Sequence, residues 1–515
     1  MPAEVPWRAP FQKPEKEARP AGYAWLVQQH ELNVLPHWRW TFVANRHVHK
    51  ELDRHGQHIY LLPSPRYPGD SELDHLLFAL RYDGVSLPIC RALFQVAEAK
   101  ALGHAIAQEV RRTPTGAYAR RAWFLFEALT GKRLDLDDIR QGNYVPLLDP
   151  SIHVTGPVRK HRRQRIDVNL LGTVEFAPIL RWTEALRSTS GEALRRRIDA
   201  LVSGYDDHTV RRAISFLYTR ETMASFEIER ERPPRTRAER FVALLREAPR
   251  LQEMDLSELV RLQNAVVDPR FSDAGWRTEQ NYVGESLDLV RQRVHYVCPK
   301  PEDLHELMAG FLDMAGVLRG APDPVLSTAA ISFAFVLLHP FTDGNGRLHR
   351  WLIHWGLCRG GVTPEGLIVP VSAVMLSHRR EYDEALESFS VPLVERVPYD
   401  LDADGRMTVE ADTADWYRHP DITDMATGLW RWLNLAVDRE LPDELRFLVR
   451  LDLAKVRIQE IVDMPDRLIV LFIKLCGANG GRLSIRKQKS HFDMLTDEEL
   501  DSMQEVVQEL FVAGD

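Results

Sequence analysis

The stretch that most constrains this chain is His-Pro-Phe-Thr-Asp-Gly-Asn-Gly-Arg-Leu-His-Arg at residues 339–350, set between two apolar segments of helical spacing, 326–338 and 348–357. It therefore stands at a helix-loop-helix junction. Gly344 and Gly346 let backbone N–H groups approach an anion closely, and the helix that follows adds its N-terminal dipole, which together make a phosphate cradle. Asp343 offers carboxylate oxygen to a divalent cation. Arg347 and Arg350, three apart, project from nearly one helix face toward the phosphates. His339, with an ordinary pKa of about 6.5, accepts a hydroxyl proton near neutral pH. The constellation describes polyphosphate handling beside a base.

Position for position, the string resembles the Fic family signature His-Pro-Phe-x-Asp/Glu-Gly-Asn-Gly-Arg-x-x-Arg. The resemblance is specific there, good over residues 225–390 and vaguer in the flanks. It implies a mainly α fold: a helical Fic core with a small β-hairpin flap, placed between an N-terminal helical domain and a C-terminal winged-helix-like module. It also implies transfer of AMP from ATP to a Ser, Thr or Tyr hydroxyl of a protein target, and of the chain itself, with Mg²⁺ as cofactor. On this resemblance His339 deprotonates the attacking hydroxyl and Asp343 holds Mg²⁺ against the α and β phosphates. The backbone of Gly344, Asn345 and Gly346 forms the anion hole, and Arg347 neutralises the leaving pyrophosphate. Phe341 anchors the loop. Tyr382 lies where the family brings a tyrosine region near the adenine, so it is expected to wall the base; core packing competes for it, since an aromatic at helical spacing is usually core.

Ser225-Phe-Glu-Ile-Glu229 places a hydroxyl and a carboxylate one turn apart on one helix face. By spacing alone such a pair is commonplace. It is similar, however, to the inhibitory pattern Ser/Thr-x-x-x-Glu-Gly/Asn carried by many Fic proteins, whose glutamate pairs with the last arginine of the signature and blocks the place of the γ-phosphate. Ser225 and Glu229 take those roles by resemblance, on a helix over about 215–230, and Arg350 then has two candidate partners, the γ-phosphate and Glu229. The next residue is Arg230, where the family has Gly or Asn. Those two tolerate the left-handed conformation that ends a helix and Arg does so poorly. The expectation is a helix that runs past Glu229 or a carboxylate held differently. Short β-prone runs near 281–284 and 294–297 predict a hairpin; by resemblance it is the flap, over about 276–297, which aligns a target segment by strand pairing.

The chain has 515 residues, with 66 Lys plus Arg against 74 Asp plus Glu, a net charge of −8 that gives no global reason to expect nucleic acid or an anionic membrane. Its four cysteines, Cys90, Cys298, Cys358 and Cys476, form no Cys-x-x-Cys pair, so neither a zinc knuckle nor a disulfide framework is indicated. The longest apolar stretches, 329–338 and 468–473, fall short of the ~20 residues of a membrane span. No signal-like segment opens the chain, and a cytoplasmic location is expected.

Residues 1–20, rich in Pro, Lys and Glu, are expected to lack fixed structure, and 21–195 to form a helical domain. Residues 196–395 are expected to form the Fic domain, 396–424 a connection and 425–515 the winged-helix-like module. The basic run Arg159-Lys160-His161-Arg162-Arg163-Gln164-Arg165 lacks interleaved aromatics, which favours a solvated or ion-paired face over nucleic-acid contact. Asp400, Asp402, Asp404 and Gly405 imitate the opening of a calcium loop, but position 12 is Ala411, and Asp-Gly between β-prone flanks favours a hairpin. Thr496 with Glu499 makes a capping box for a last helix. Two rival functions remain: the same fold moving another nucleotide or phosphate-containing group, or removing AMP, and a DNA-binding regulator built on the C-terminal module, the less favoured because its last helix is acidic. A homo-oligomer is compatible with either.

Overall fold

The computed structural model describes residues 7–15, 17–45, 50–54, 57–96, 99–287, 292–321 and 323–512, and it is mainly helical with small sheets. Residues 1–6 and 16 of the expected tail lie outside these. The rest of the tail is ordered, against expectation. The Trp7 indole N–H donates to Leu32 O at 3.2 Å, Phe11 is buried against Trp40 and Phe42, and Arg19–Ala21 forms a strand. Single aromatics scattered through a charged segment leave no periodic signal, yet each buried ring is worth about 2 kcal/mol.

The N-terminal domain also departs from an all-helical expectation. Arg19–Ala21, Arg39–Ala44, Gln57–Pro63 and Lys50–Arg54 form a four-stranded sheet in that spatial order, with Arg39–Ala44 and Gln57–Pro63 parallel. Trp40, Thr41, Phe42 and Val43 are buried in succession, so the period of two that betrays a half-exposed strand is missing. Helices Glu72–Tyr82, Leu87–Val96 and Ala117–Thr130 share the core with this sheet. A second sheet orders Val145–Pro146, Ile166–Val168 and Arg159–His161. Within the basic run, Arg163 is bound to Glu127 at 3.0 Å and Asp138 at 2.8 Å, an ion-paired arrangement.

A larger core runs from Val154 to Val507 and takes in the site and the C-terminal helices alike. At its centre lies a leading helix, Pro324–Leu338, apolar on every face. Asp323 caps it through Val325 N and Leu326 N, and Pro324 occupies the first turn, where its missing N–H is harmless. A following helix, Asn345–Arg359, packs against it. A long helix, Asp207–Ile228, crosses the following helix, and a bracing helix, Arg379–Val394, completes the surround.

Asp400–Leu401 pairs with Met407–Thr408 as an antiparallel hairpin turning through Gly405 at φ 77°. Beyond it, Leu441–Ile461, Asp466–Gly477, Ile485–His491 and Asp497–Phe511 are helices, the last opened by the Thr496–Glu499 capping box. No strand occurs among the described residues after Thr408, so the helices of a winged-helix-like module are present without a wing. Ser484 O already accepts from Lys487 N and Gln488 N, which commits the chain to helix three residues after the Gly480-Gly481 turn. No helix among the described residues is long and apolar enough to cross a membrane.

Candidate active site

The loop begins where the leading helix is stopped. His339 precedes proline, which disfavours α geometry, and takes a left-handed conformation, φ 47° and ψ 54°. The chain then folds back on itself around Asn345, whose side-chain amide donates to Phe341 O at 2.7 Å while its oxygen accepts Phe341 N at 3.0 Å. Phe341 is fully buried beside Trp276 and Phe335, so the loop has the apolar anchor its sequence predicts.

Gly344 starts the following helix at φ 91°, and a Cβ there would meet Val267 Cγ1 at 2.9 Å. Conformation and space both require glycine. At Gly346 a Cβ would lie 2.1 Å from Glu229 Oε1. That carboxylate therefore rests against the first turn of the helix, beside Gly346, in the field of the helix N-terminus.

Residues far away in sequence hold the loop. Buried Arg277 donates from Nε to His339 O at 3.0 Å, and its backbone N–H donates to Pro340 O at 2.9 Å. Gln263 Nε2 donates to Asp343 O at 3.1 Å, and Asp273 accepts from Thr342 N at 2.8 Å. None of these was singled out in the sequence. Arg277 lies at the start of the stretch expected for the flap, and a buried arginine bonding carbonyls has no local signature.

The His339 imidazole faces Val336 O from Nδ1 at 3.3 Å, which assigns the proton to Nδ1 and leaves Nε2 as the acceptor. Burial, aided by the Arg277 charge, lowers its pKa to about 4. The ring is consequently neutral at physiological pH. Burial also raises the Asp343 carboxyl above its ordinary value, with Gly344 N–H opposing.

Both arginines of the motif are buried and engaged. Arg350 donates from Nε to Ser225 Oγ at 2.8 Å, and from Nη2 to Ser225 O at 2.7 Å and Glu229 Oε1 at 2.8 Å. Burial works against its charge, but Glu229 and Tyr382 outweigh burial and hold its pKa above the ordinary value. Arg347 donates from Nη2 to Asp343 Oδ1 at 2.6 Å and from Nη1 to Glu231 Oε2 at 3.3 Å. Glu231 went unremarked in the sequence, yet it stands toward Arg347 as Glu229 stands toward Arg350. Arg237 supports it at 2.6 Å.

The expectation at Arg230 needs correcting in both its branches. The helix ends at Ile228, Glu229 caps it at φ −82°, and Arg230 itself takes the left-handed conformation, φ 58°. The carboxylate reaches Arg350 all the same, because Ile228 O is held by Arg379 from the bracing helix and Arg230 N and Glu231 N close the end onto Glu227 O and Phe226 O.

A cavity of about 240 Å³ opens over the loop, lined by Glu229, by 281–284 of the hairpin, by His339 and by 342–347. Tyr282–Ser286 and Gln292–Val297 form that hairpin, with a register shift at Val283/Gly284; residues 288–291 of the expected flap lie outside the described ones. Among the described residues Tyr282–Ser286 pairs with a strand on one side alone, and on its other edge Tyr282 N–H donates to Asn281 Oδ1 at 2.8 Å. Asn281 Nδ2 ties the hairpin to Thr342 O at 3.3 Å. Tyr382 is not part of this lining. It is 4% exposed, with its ring 6.3 Å from His349 and 5.5 Å from Trp432, so its place is the core behind Arg350 and not a wall of the cavity.

Fold and loop together define a helical protein in which a glycine-flanked helix N-terminus stands beside a neutral imidazole. Residues 253–357 match the Fic/DOC family. Among curated proteins the chain is similar to protein adenylyltransferase fic-1 of Caenorhabditis briggsae, 34% identical over 111 residues, 21% of this chain and 18% of that one. It is also similar to protein adenylyltransferase Fic of Drosophila willistoni, 35% identical over 117 residues, 22% and 21% of the two chains. The match thus spans about a fifth of the length of these relatives. Among solved structures, a Fic domain containing signaling protein from Bacteroides thetaiotaomicron aligns at 17% identity and TM-score 0.34 over 50% of this chain and 97% of that one. Fic-1 of C. elegans aligns at 15% and 0.33 over 73% and 94%.

Proposed function

We propose that this chain is a protein adenylyltransferase that moves AMP from ATP to Ser, Thr or Tyr hydroxyls of target proteins and of itself, and that Glu229 restrains it. The observation that carries the reading is the Glu229 carboxylate seated beside Gly346 and paired with Arg350: an anion already lies in the field of the helix N-terminus. The names of the relatives supply the choice of AMP.

The roles follow from position. His339 Nε2 accepts the target hydroxyl's proton, and being neutral down to about pH 4 it is competent throughout the physiological range. The N–H groups at Asn345 and Gly346 stabilise phosphate charge, Gly344 N–H joins them once it leaves Asp343 Oδ1, to which it donates at 2.6 Å, and Arg347 receives the departing pyrophosphate once it leaves Asp343 and Glu231. The open edge of Tyr282–Ser286 takes a target segment as an added strand. Asp343 is a single carboxylate, and no group of three or more His, Cys, Asp or Glu among the described residues is placed to hold a metal. That donor set fits Mg²⁺ arriving with the nucleotide, since Mg²⁺ is commonly held by one or two carboxylates plus substrate phosphates. When bound it supplies charge neutralisation at the α and β phosphates.

The test is intact-mass measurement after incubation with Mg-ATP, in wild type and in His339→Ala. A mass gain equal to AMP, lost in His339→Ala, is expected; a gain that persists in the variant overturns the role of His339. A gain of another mass overturns AMP as the group moved.

A further inference from the structure

The base of the hairpin and the start of the loop meet at one buried cation. Arg277, 4% exposed, donates from Nη1 to Glu279 O at 2.7 Å and from Nη2 to Pro299 O, on the chain to either side of the two strands. From Nε it donates to His339 O at 3.0 Å, and its own N–H donates to Pro340 O at 2.9 Å. One guanidinium thus joins both feet of the hairpin to the residue proposed as the base. Burial opposes its charge and lowers its pKa, but the group lies at the C-terminal end of the leading helix, whose dipole favours a cation.

Two further bonds run beside it. Tyr296, on the second strand, donates from its hydroxyl to Leu337 O, and Asn281 Nδ2 donates to Thr342 O at 3.3 Å. Both leave from the hairpin and end within a few residues of His339. His339 itself is in the left-handed region, φ 47°, which a residue with a side chain keeps only where its surroundings over-determine it. Its carbonyl is the one that Arg277 takes. A lysine is a point charge on a flexible stem, whereas the planar fork of arginine reaches carbonyls in three directions at fixed angles. The nucleotide side of the loop is fastened differently: Gln263 holds Asp343 O, and Asn345 folds back on Phe341.

We propose that Arg277 is a positioning residue for group transfer: it sets the register between the outer edge of Tyr282–Ser286, where a target segment lies during transfer, and the His339 imidazole, while nucleotide binding is left to residues 343–350. The inference rests on the transfer activity proposed above and on nothing particular to AMP. A misplacement of about 1 Å between reacting groups can cost about a hundredfold in rate, so the loss of Arg277 falls on turnover.

The test uses the full chain carrying Glu229→Gly, with Arg277→Lys or Arg277→Met added. The self-labelling rate at saturating Mg-ATP, the affinity for Mg-ATP by isothermal titration and backbone amide hydrogen exchange are measured. Arg277→Lys is expected to slow labelling about tenfold and Arg277→Met about a hundredfold, with the affinity for Mg-ATP unchanged within about twofold. Exchange is expected to quicken at 281–286 and 341–343 together and to stay as it was in Leu441–Ile461 of the same core, which reports that the domain is folded. Unchanged labelling, labelling and affinity that fall by the same factor, or hairpin amides that quicken while those of the loop do not each overturn the proposal. A Glu229→Gly parent that transfers nothing overturns the activity proposed above instead, and the exchange pattern then decides by itself whether Arg277 joins hairpin to loop.

Discussion

Arg230 carries a backbone conformation that its side chain disfavours by about 1–2 kcal/mol. Glycine would remove that strain but loses about 0.5–1 kcal/mol more conformational entropy on folding. The strain outweighs the entropy by roughly 0.5–1 kcal/mol, so on the proposed reading Arg230→Gly tightens the seat of Glu229 and lowers basal self-labelling roughly two- to fivefold. Labelling that rises instead would show that Arg230 strengthens the restraint. Glu229→Gly removes a hydrogen-bonded ion pair to a buried arginine, worth about 1 kcal/mol for a carboxylate side chain that is 37% exposed, and self-labelling should climb roughly fivefold. An unchanged rate would leave the Glu229–Arg350 contact without a regulatory role. Glu231 is half-exposed, so its hold on Arg347 is worth about 1 kcal/mol or less. Glu231→Gln should add a further fewfold gain over Glu229→Gly, read in the same assay, and no gain would make Glu231 merely structural. At this scale the sequence was most legible where the chemistry is contiguous. His339, Asp343, Gly344, Gly346, Arg347 and Arg350 announce themselves within one short run, whereas Glu231 and Arg277 act through pairings that only the folded chain creates.

The long helix Asp207–Ile228 holds Ser225 and Glu229 in place through an anchor of its own. Glu221, 1% exposed, accepts from His354 Nε2 at 2.6 Å on the following helix and from Ser372 N at 2.9 Å. Breaking a buried pair by removing one partner costs about 3–5 kcal/mol. Glu221→Ala should therefore lower the melting temperature and raise basal labelling together, because the helix that bears Glu229 loses its registration. A lower melting temperature with unaltered labelling would separate the anchor from the restraint. The central helices were legible from the apolar runs at 326–338 and 348–357. The N-terminal sheet was not: Arg39–Ala44 is covered on both faces, and burial on both sides erases the alternation from which a strand is recognised. The helices on either side of the Gly480-Gly481 turn stand as helices, Asp466–Gly477 and Ile485–His491.

Across the whole molecule, burial sets the response to acid. His37, His75, His153 and His339 are lowered to about 4, and His349 and His419 to about 3, from an ordinary 6.5, with burial the leading cause in each. The unfolded chain therefore binds more protons than the folded one as pH falls below 6.5, and stability present above that pH is lost progressively toward 4. Asp83, raised to about 7 by burial, acts in the opposite sense, losing its contribution as pH rises through 7. Glu231, Asp303, Asp343, Asp424 and Glu444, also raised by burial, act with it from the ordinary carboxyl range, below the window in which the six imidazoles begin to take up protons. Melting temperatures should fall steadily from pH 7 to pH 5; a flat profile would mean that these imidazoles are not held neutral. The division into an N-terminal core and a larger second one has a further consequence. The long helix touches the motif arginine with one end, while Arg212 pairs with Asp452 at 2.5 Å and Arg220 with Glu444 at 3.6 Å on Leu441–Ile461. Coupling through a shared element is reciprocal: whatever alters the nucleotide's affinity by reseating the C-terminal helices must have its own binding altered by the nucleotide by the same factor. On the proposed reading, any ligand that reseats that module and ATP would be effectors of one another, and measuring either affinity with and without the other reports on both.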